Sequence, residues 1–323
     1  MLNRALLPAL WIAVLATPAF ANEVNVYSYR EQKLIQPLFE AFTKDTGIKV
    51  NVISASSGLE QRIKTEGANS PADVLLTVDV ARLQDAIDAG ITQPIQSALL
   101  EKAVPKAYHG PDGAWYGISM RARVVYASKE RVKQDAITYE DLADPKWKGR
   151  KIIMEARLVP FAMLGTEWGK GKAIELTKKI LSQQQPLIVQ GGTTVANALA
   201  GGQVSIAVGT YAFTIEGLKK QGAAVDWVAV SPLPVLTSAE GILKTAAHPN
   251  AGRFFAGWMG TAEGQKIRYA SRGQAMEVGR NAIGNVAERI RSQKPAIILE
   301  TDKTFASILE IQRELGKLLG ALR

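Results

Sequence analysis

The chain has 323 residues, no cysteine, two histidines and a formal charge of +9. Its length accommodates two domains of ordinary size, and the missing cysteine excludes disulfides, thiol nucleophiles and thiolate metal sites. The 39 Lys and Arg are spread along the chain rather than run together, which argues against a nucleic-acid stripe and leaves an electrostatic bias toward anionic ligands.

Arg4, the apolar run Ala5 to Ala16 and the small-x-small site Ala19-Phe20-Ala21 predict a secretory signal peptide over 1–21. The run is short of the ~20 residues a membrane span needs. The exported chain then opens with strand-like alternation at Val24 to Ser28. Leu34, Leu38, Phe39 and Phe42 follow at helical spacing, and Gly47 ends that helix. Lys49 to Ile53 reads as a strand, Leu59 to Thr65 as a short helix and Ala72 to Thr77 as a buried strand. Asp79 is a good N-cap for a helix over Ala81 to Ala89, stopped by Gly90.

Strand, helix, strand, helix, strand predicts an α/β domain with a mainly parallel sheet. Ligands of such sheets lie beyond the carboxyl ends of the strands, so the loops after Ser28, Ile53 and Thr77 are the ones to watch. The pattern repeats with a strand at Ile152 to Met154, a helix over Lys172 to Gln183 and a strand at Leu187 to Val189. A helix over Val195 to Ala200, capped by Thr193 or Thr194, precedes a strand over Ser205 to Gly209 and a helix after Tyr211. Trp115 to Tyr126 joins the halves and Glu240 to Lys244 returns, both extended, which marks them as a hinge. The tail from Glu300 predicts one or two amphipathic helices packed on a lobe. Trp115, Trp147, Trp227 and Trp258 read as core, and His109 and His248 as exposed.

Several residues invite a ligand. Ser54-Ala55-Ser56-Ser57-Gly58 lies between a strand and a helix, where hydroxyls and free N–H groups suit an anion or a plain cap. Gly191-Gly192-Thr193-Thr194 is its equivalent in the second half, and it lacks the Gly-Lys-Ser/Thr ending of a P-loop. Arg121 and Arg123 alternate on an extended segment and so point the same way, toward an anion or a neighbouring acid. Tyr29 leaves the first strand, and Tyr211 stands where a strand gives way to a helix. No nucleophile elbow, Ser-His-Asp ordering or nucleotide fingerprint occurs, which points away from an enzyme.

The stretch Glu66-Gly67-Ala68-Asn69-Ser70-Pro71-Ala72-Asp73-Val74-Leu75-Leu76-Thr77-Val78-Asp79 closely resembles the first-lobe signature of the periplasmic ferric-iron-binding proteins of ABC importers. The resemblance continues through Arg121 to Tyr126 and through Asp144-Pro145-Lys146-Trp147-Lys148-Gly149, and fades after about Gly273. It implies an α/β, two-lobed, type II periplasmic-binding-protein fold, each lobe a mainly parallel sheet flanked by helices, with hinge crossovers. The first lobe would comprise 22–120 and about 240–275, the second about 121–239 and 276–323. It also implies a monomeric periplasmic receptor serving a membrane permease and an ATPase.

The family's paired tyrosines fall here on Tyr211-Ala212, so one remains. Glu31 stands near a usual ligand position, Val78 falls where some members place a carboxylate, and the loop Glu155 to Phe161 has no tyrosine. Tyr211 and Glu31 are therefore the expected metal ligands. Arg121 and Arg123 match the family's anion-binding crossover, with Tyr29, Ser56, Ser57 and Thr193 as further ligand contacts. Two ligands fit this set: Fe³⁺ with a small anion or chelator, and a metal-free organic anion such as a carboxylate, phosphonate or sugar phosphate. An enzyme on the same fold is the more remote alternative.

Overall fold

The computed structural model describes residues 22–30, 32–104, 106–128, 132, 137–147, 152–272 and 283–321. The expected signal peptide, 1–21, and Glu31 lie outside the described residues.

The first half is built from β1 (Glu23–Ser28), α1 (Gln32–Thr46), β2 (Lys49–Ser54), α2 (Leu59–Glu66), β3 (Val74–Leu76), α3 (Val80–Asp88), β4 (Thr92–Gln93) and α4 (Ala98–Ala103). A long strand, β5 (Tyr116–Ser128), carries the chain into β6 (Ile152–Glu155), α5 (Val159–Trp168), α6 (Lys170–Gln184), β7 (Leu187–Val189), α7 (Gly192–Ala200), β8 (Ile206–Tyr211), α8 (Ala212–Lys220) and β9 (Val225–Val228). A second long strand, β10 (Leu233–Leu243), returns it to α9 (Pro249–Gly260), α10 (Ala262–Arg272), α11 (Gly284–Gln293), β11 (Ile297–Leu299) and α12 (Asp302–Ala321).

The strand order is β2-β1-β3-β10-β5-β8-β6-β7, with β4 and β11 on β10 and β9 on β5. Pairing is parallel for β2, β1 and β3, and again for β7, β6 and β8. The long strands β5 and β10 run antiparallel to each other, with a register shift between Ser238 and Ala239; β5 is also antiparallel to β8 and β9, and β10 to β3 and β4, while β11 pairs parallel with β10. The two long strands link the two parallel half-sheets as the extended segments at 115–126 and 240–244 predict.

Burial explains the patterning. Strands covered on both faces are largely apolar, as in β3 and β6, although β6 ends on Glu155 and β10 carries Thr237, Ser238 and Glu240. On the first half, Phe42 of α1 meets Phe255 edge-on at 5.1 Å and Trp258 at 5.5 Å. Phe42 is fully buried, worth about 1.5–3 kcal/mol for such a side chain. Trp115, Trp147, Trp227 and Trp258 all lie in the core. Asp79 caps α3, its carboxylate accepting from Arg82 N at 3.0 Å.

Two local readings are corrected. Helix α7 begins at Gly192 with Gly191 as its cap, so Thr193 and Thr194 lie inside its first turn rather than capping it. The tail, by contrast, meets its expectation, its described part forming one helix, α12, packed on α5, α3 and α6. The histidines are half-buried, because His109 stacks on Tyr116 at 5.0 Å and His248 engages Asp73. Buried Asp73 also accepts from Asn25 N at 2.8 Å and His248 N at 2.6 Å, tying β1 to the start of α9.

Candidate functional site

The ends of β1, β3, β6 and β8 converge where β5 and β10 cross. Tyr211 terminates β8 and is the N-cap residue of α8. Its hydroxyl accepts from Arg123 Nη2 at 3.0 Å and from Arg121 Nη1 at 3.3 Å. Both guanidinium groups also approach its ring, at 4.5 and 4.9 Å, and Phe213 stacks against it at 5.4 Å. Arg121 and Arg123 stand two apart on β5, which puts both on one face. Burial by itself would raise the Tyr211 pKa, but the charges of Arg121, Arg123 and Arg157 outweigh it and hold the phenol below its ordinary value.

The arginines are themselves fixed. Arg123 is 1 % exposed, donates to the Gly209 carbonyl and lies 3.8 Å from the equally buried Glu155 carboxylate. Gly209 has φ +96° and a Cβ there would meet Glu155 Cβ at 3.2 Å, so a side chain would disturb this approach. Arg157, more than half exposed, donates to Glu155 at 3.0 Å. Arg121 donates to the Val78 carbonyl at the end of β3, which also accepts from Ser238 Oγ at 3.0 Å. Arg30 reaches across both long strands, to Ser119 Oγ at 3.0 Å and Ser238 Oγ at 2.6 Å. Burial, with Arg268 and Arg121 nearby, holds its pKa well below the arginine norm.

Two buried carboxyls complete the electrostatics. Glu300, just after β11, is pushed up to about 8 by burial and by Asp79, against the opposing pull of Arg121 and Arg123. Glu240, on β10, is pushed up to about 8 by burial although Arg268 opposes this.

A cleft cavity of about 530 Å³ opens beside this cluster, with Tyr29, Ser56, Val78 and Arg82 among its walls. The Tyr29 ring carries the Arg82 guanidinium at 4.5 Å. Its hydroxyl, however, donates to Glu60 and accepts from Leu59 N at 2.8 Å. Burial and Glu60 push the Tyr29 phenol up to about 12, so it is a poor anionic donor. Ser57 is exposed beside Ser56, and Gly58 rather than a serine caps α2. Thr193 is exposed in the first turn of α7.

The structure thus brings Tyr211, Arg121 and Arg123 into direct contact and sets Tyr29 and Ser56 on the neighbouring cavity. Sequence reasoning missed Arg30, Arg82, Arg157 and Glu300. Arg30 and Arg157 sit inside loops already singled out, where the search was for oxygen donors; Glu300 carried no local signal. Among the described residues, no group of three or more His, Asp and Glu is placed to hold a metal ion. The cluster has the chemistry of an anion site with one activated phenol, suited to an oxygen-rich ligand bearing net negative charge.

Residues 28–266 match the bacterial extracellular solute-binding protein family. Iron uptake protein A1 of Synechocystis is 54% identical over 139 residues, 42% of this chain and 39% of that protein, so the aligned region spans about two fifths of the relative. The fold is similar to that of a Bordetella ferric binding protein, with TM-score 0.78, 29% identity and coverage of 93% of this chain and 98% of that one. It is likewise similar to a Trichodesmium protein solved in complex with iron and citrate ligands, with TM-score 0.74, 29% identity and coverage of 93% and 99%. These structures share the two-lobed type II architecture, and the chain belongs to the bacterial extracellular solute-binding protein family.

Proposed function

We propose that this chain is the periplasmic receptor of an ABC importer and that its cargo is iron(III) carried as a chelate with a small organic acid. The carrying observation is the Tyr211 hydroxyl held between two guanidinium groups, with no cluster of His, Asp and Glu ligands among the described residues. A bare Fe³⁺ ion needs several hard anionic oxygens. Here Tyr211 supplies one, and the chelator's own oxygens supply the rest. The arginines then neutralise the chelate's carboxylates.

In this reading the lobes comprise 22–120 with about 240–275, and about 121–239 with 276–323. The ligand bridges them and favours the closed state. The receptor returns its ligand unchanged, and a permease and an ATPase read the closed surface. Names of similar proteins support the cargo: an iron uptake protein, a ferric binding protein and a protein solved with iron and citrate.

A second reading, a metal-free organic anion, draws on the same arginine excess. Native mass spectrometry of the protein taken from periplasm separates the two. Extra mass containing iron plus an organic acid supports the chelate; a purely organic extra mass refutes it and favours the second reading.

A further inference from the structure

Part of the cleft is larger than an iron centre requires. The cavity of about 530 Å³ is walled by Tyr29, Arg30, Gln32, Ser54, Ser56 and Arg82, on the first-half side of the crossing. A water takes about 30 Å³ of liquid, so a single ion with one small anion fills little of this space. Its polar atoms are chemically one-sided. Arg30 lines it but bonds Ser119 and Ser238, so the described lining offers a ligand the Arg82 guanidinium, two serines and an amide, and no carboxylate belongs to it.

Arg82 is preorganised there. Its Nη1 donates to the Ser56 carbonyl at 3.1 Å, its plane lies over the Tyr29 ring, and no carboxylate of the described residues forms an ion pair with it. The nearby Glu60 is engaged by the Tyr29 hydroxyl. Val78 joins the cavity to the Tyr211 cluster, because it lines the cavity while its carbonyl is gripped by Arg121. A ligand seated on Arg121, Arg123 and Tyr211 therefore has open space beside it, ending at a second cation.

We propose that this cavity is a second anion subsite, in which Arg82 receives an uncoordinated carboxylate of the chelator. The cargo is then a polycarboxylate complex with a free arm, and Arg82 determines that specificity. This rests on the ferric-chelate reading of the cleft.

The test is calorimetric titration of the mature protein with ferric citrate, which keeps an uncoordinated carboxylate, and ferric nitrilotriacetate, whose carboxylates all bind iron. The wild type should prefer ferric citrate. Arg82→Ala should weaken ferric citrate roughly 10- to 100-fold, the loss of one charge-assisted contact, and leave ferric nitrilotriacetate within about twofold. Should the alanine variant fail to fold, Arg82→Gln keeps the stem over Tyr29 and removes the charge. Equal losses for both complexes, loss for neither, or a wild type without preference overturn the subsite while leaving the iron reading standing. A wild type that ignores both ferric complexes yet binds free citrate through Arg82 keeps the subsite and overturns the iron reading. Binding of none of these ligands overturns both.

Discussion

Tyr211→Phe removes one oxygen and keeps the ring stacked on Phe213. That oxygen accepts one well-placed bond from Arg123 at 3.0 Å and a long one from Arg121 at 3.3 Å. A hydrogen bond to a charged group contributes about 1.5–3 kcal/mol, and the long bond adds little. The expected stability loss is therefore about 2 kcal/mol. It stays modest because Arg123 keeps the Gly209 carbonyl and Arg121 keeps the Val78 carbonyl. Ligand binding suffers more, since the same oxygen is the phenolate donor to iron. Its depressed pKa lowers the cost of driving off the proton, by about 1.36 kcal/mol per unit. Affinity for ferric citrate should fall at least about 100-fold, close to 2.8 kcal/mol. Titration at neutral pH gives the affinity, and the visible phenolate-to-iron absorption band gives the coordination. A folded Tyr211→Phe protein that keeps the band, or binds within about twofold of the wild type, refutes the assignment.

Arg123→Met should destabilise the fold by about 1–3 kcal/mol, because it removes the donor to the Gly209 carbonyl and leaves the buried Glu155 carboxylate to Arg157 alone; chemical denaturation measures this, and a loss under about 0.5 kcal/mol contradicts that role. Arg121→Ala should weaken every anionic ligand without shifting the midpoint of thermal unfolding by more than a few degrees; unchanged citrate affinity removes Arg121 from the site. Glu300 has a folded pKa raised from 4.5 to about 8 by burial and Asp79. Between those values the native state holds a proton that the unfolded chain has lost, so this residue lowers stability as pH rises through that window. Glu300→Gln, a neutral mimic of the protonated acid, should leave the unfolding temperature unchanged near pH 4.5 and raise it at pH 8 and above. The gain is on the order of several kcal/mol at most, and equal unfolding temperatures at pH 9 contradict it.

The amino-acid sequence by itself determined the local elements. Helical spacing marked α1 and α6, the cap at Asp79 marked α3, alternation marked β1, and apolar runs marked β3 and β6, because each signal lies within one turn or one strand of the residues that feel it. Even the pairing of Arg121 with Arg123 was legible, since alternation along an extended strand sends both side chains to one face. What lies opposite that face was not. Tyr211 meets the two arginines only because β8 pairs with β5 in a register that sets Arg123 against Tyr211. Arg30 bonds Ser119 and Ser238 because the long strands cross beneath it, and Glu300 turns against Asp79 and the arginine pair from more than a hundred residues away in sequence. Spacing carries no information about which distant strands become neighbours. The shift in the Tyr211 phenol and the burial of Glu300 exist only once β5 and β10 have joined the two half-sheets, and the cavity beside Arg82 only once β1 has paired with β2 and β3. Tertiary pairing decided the site for that reason: charge and desolvation act through space over a few ångströms, and the chain brings those groups together only by folding.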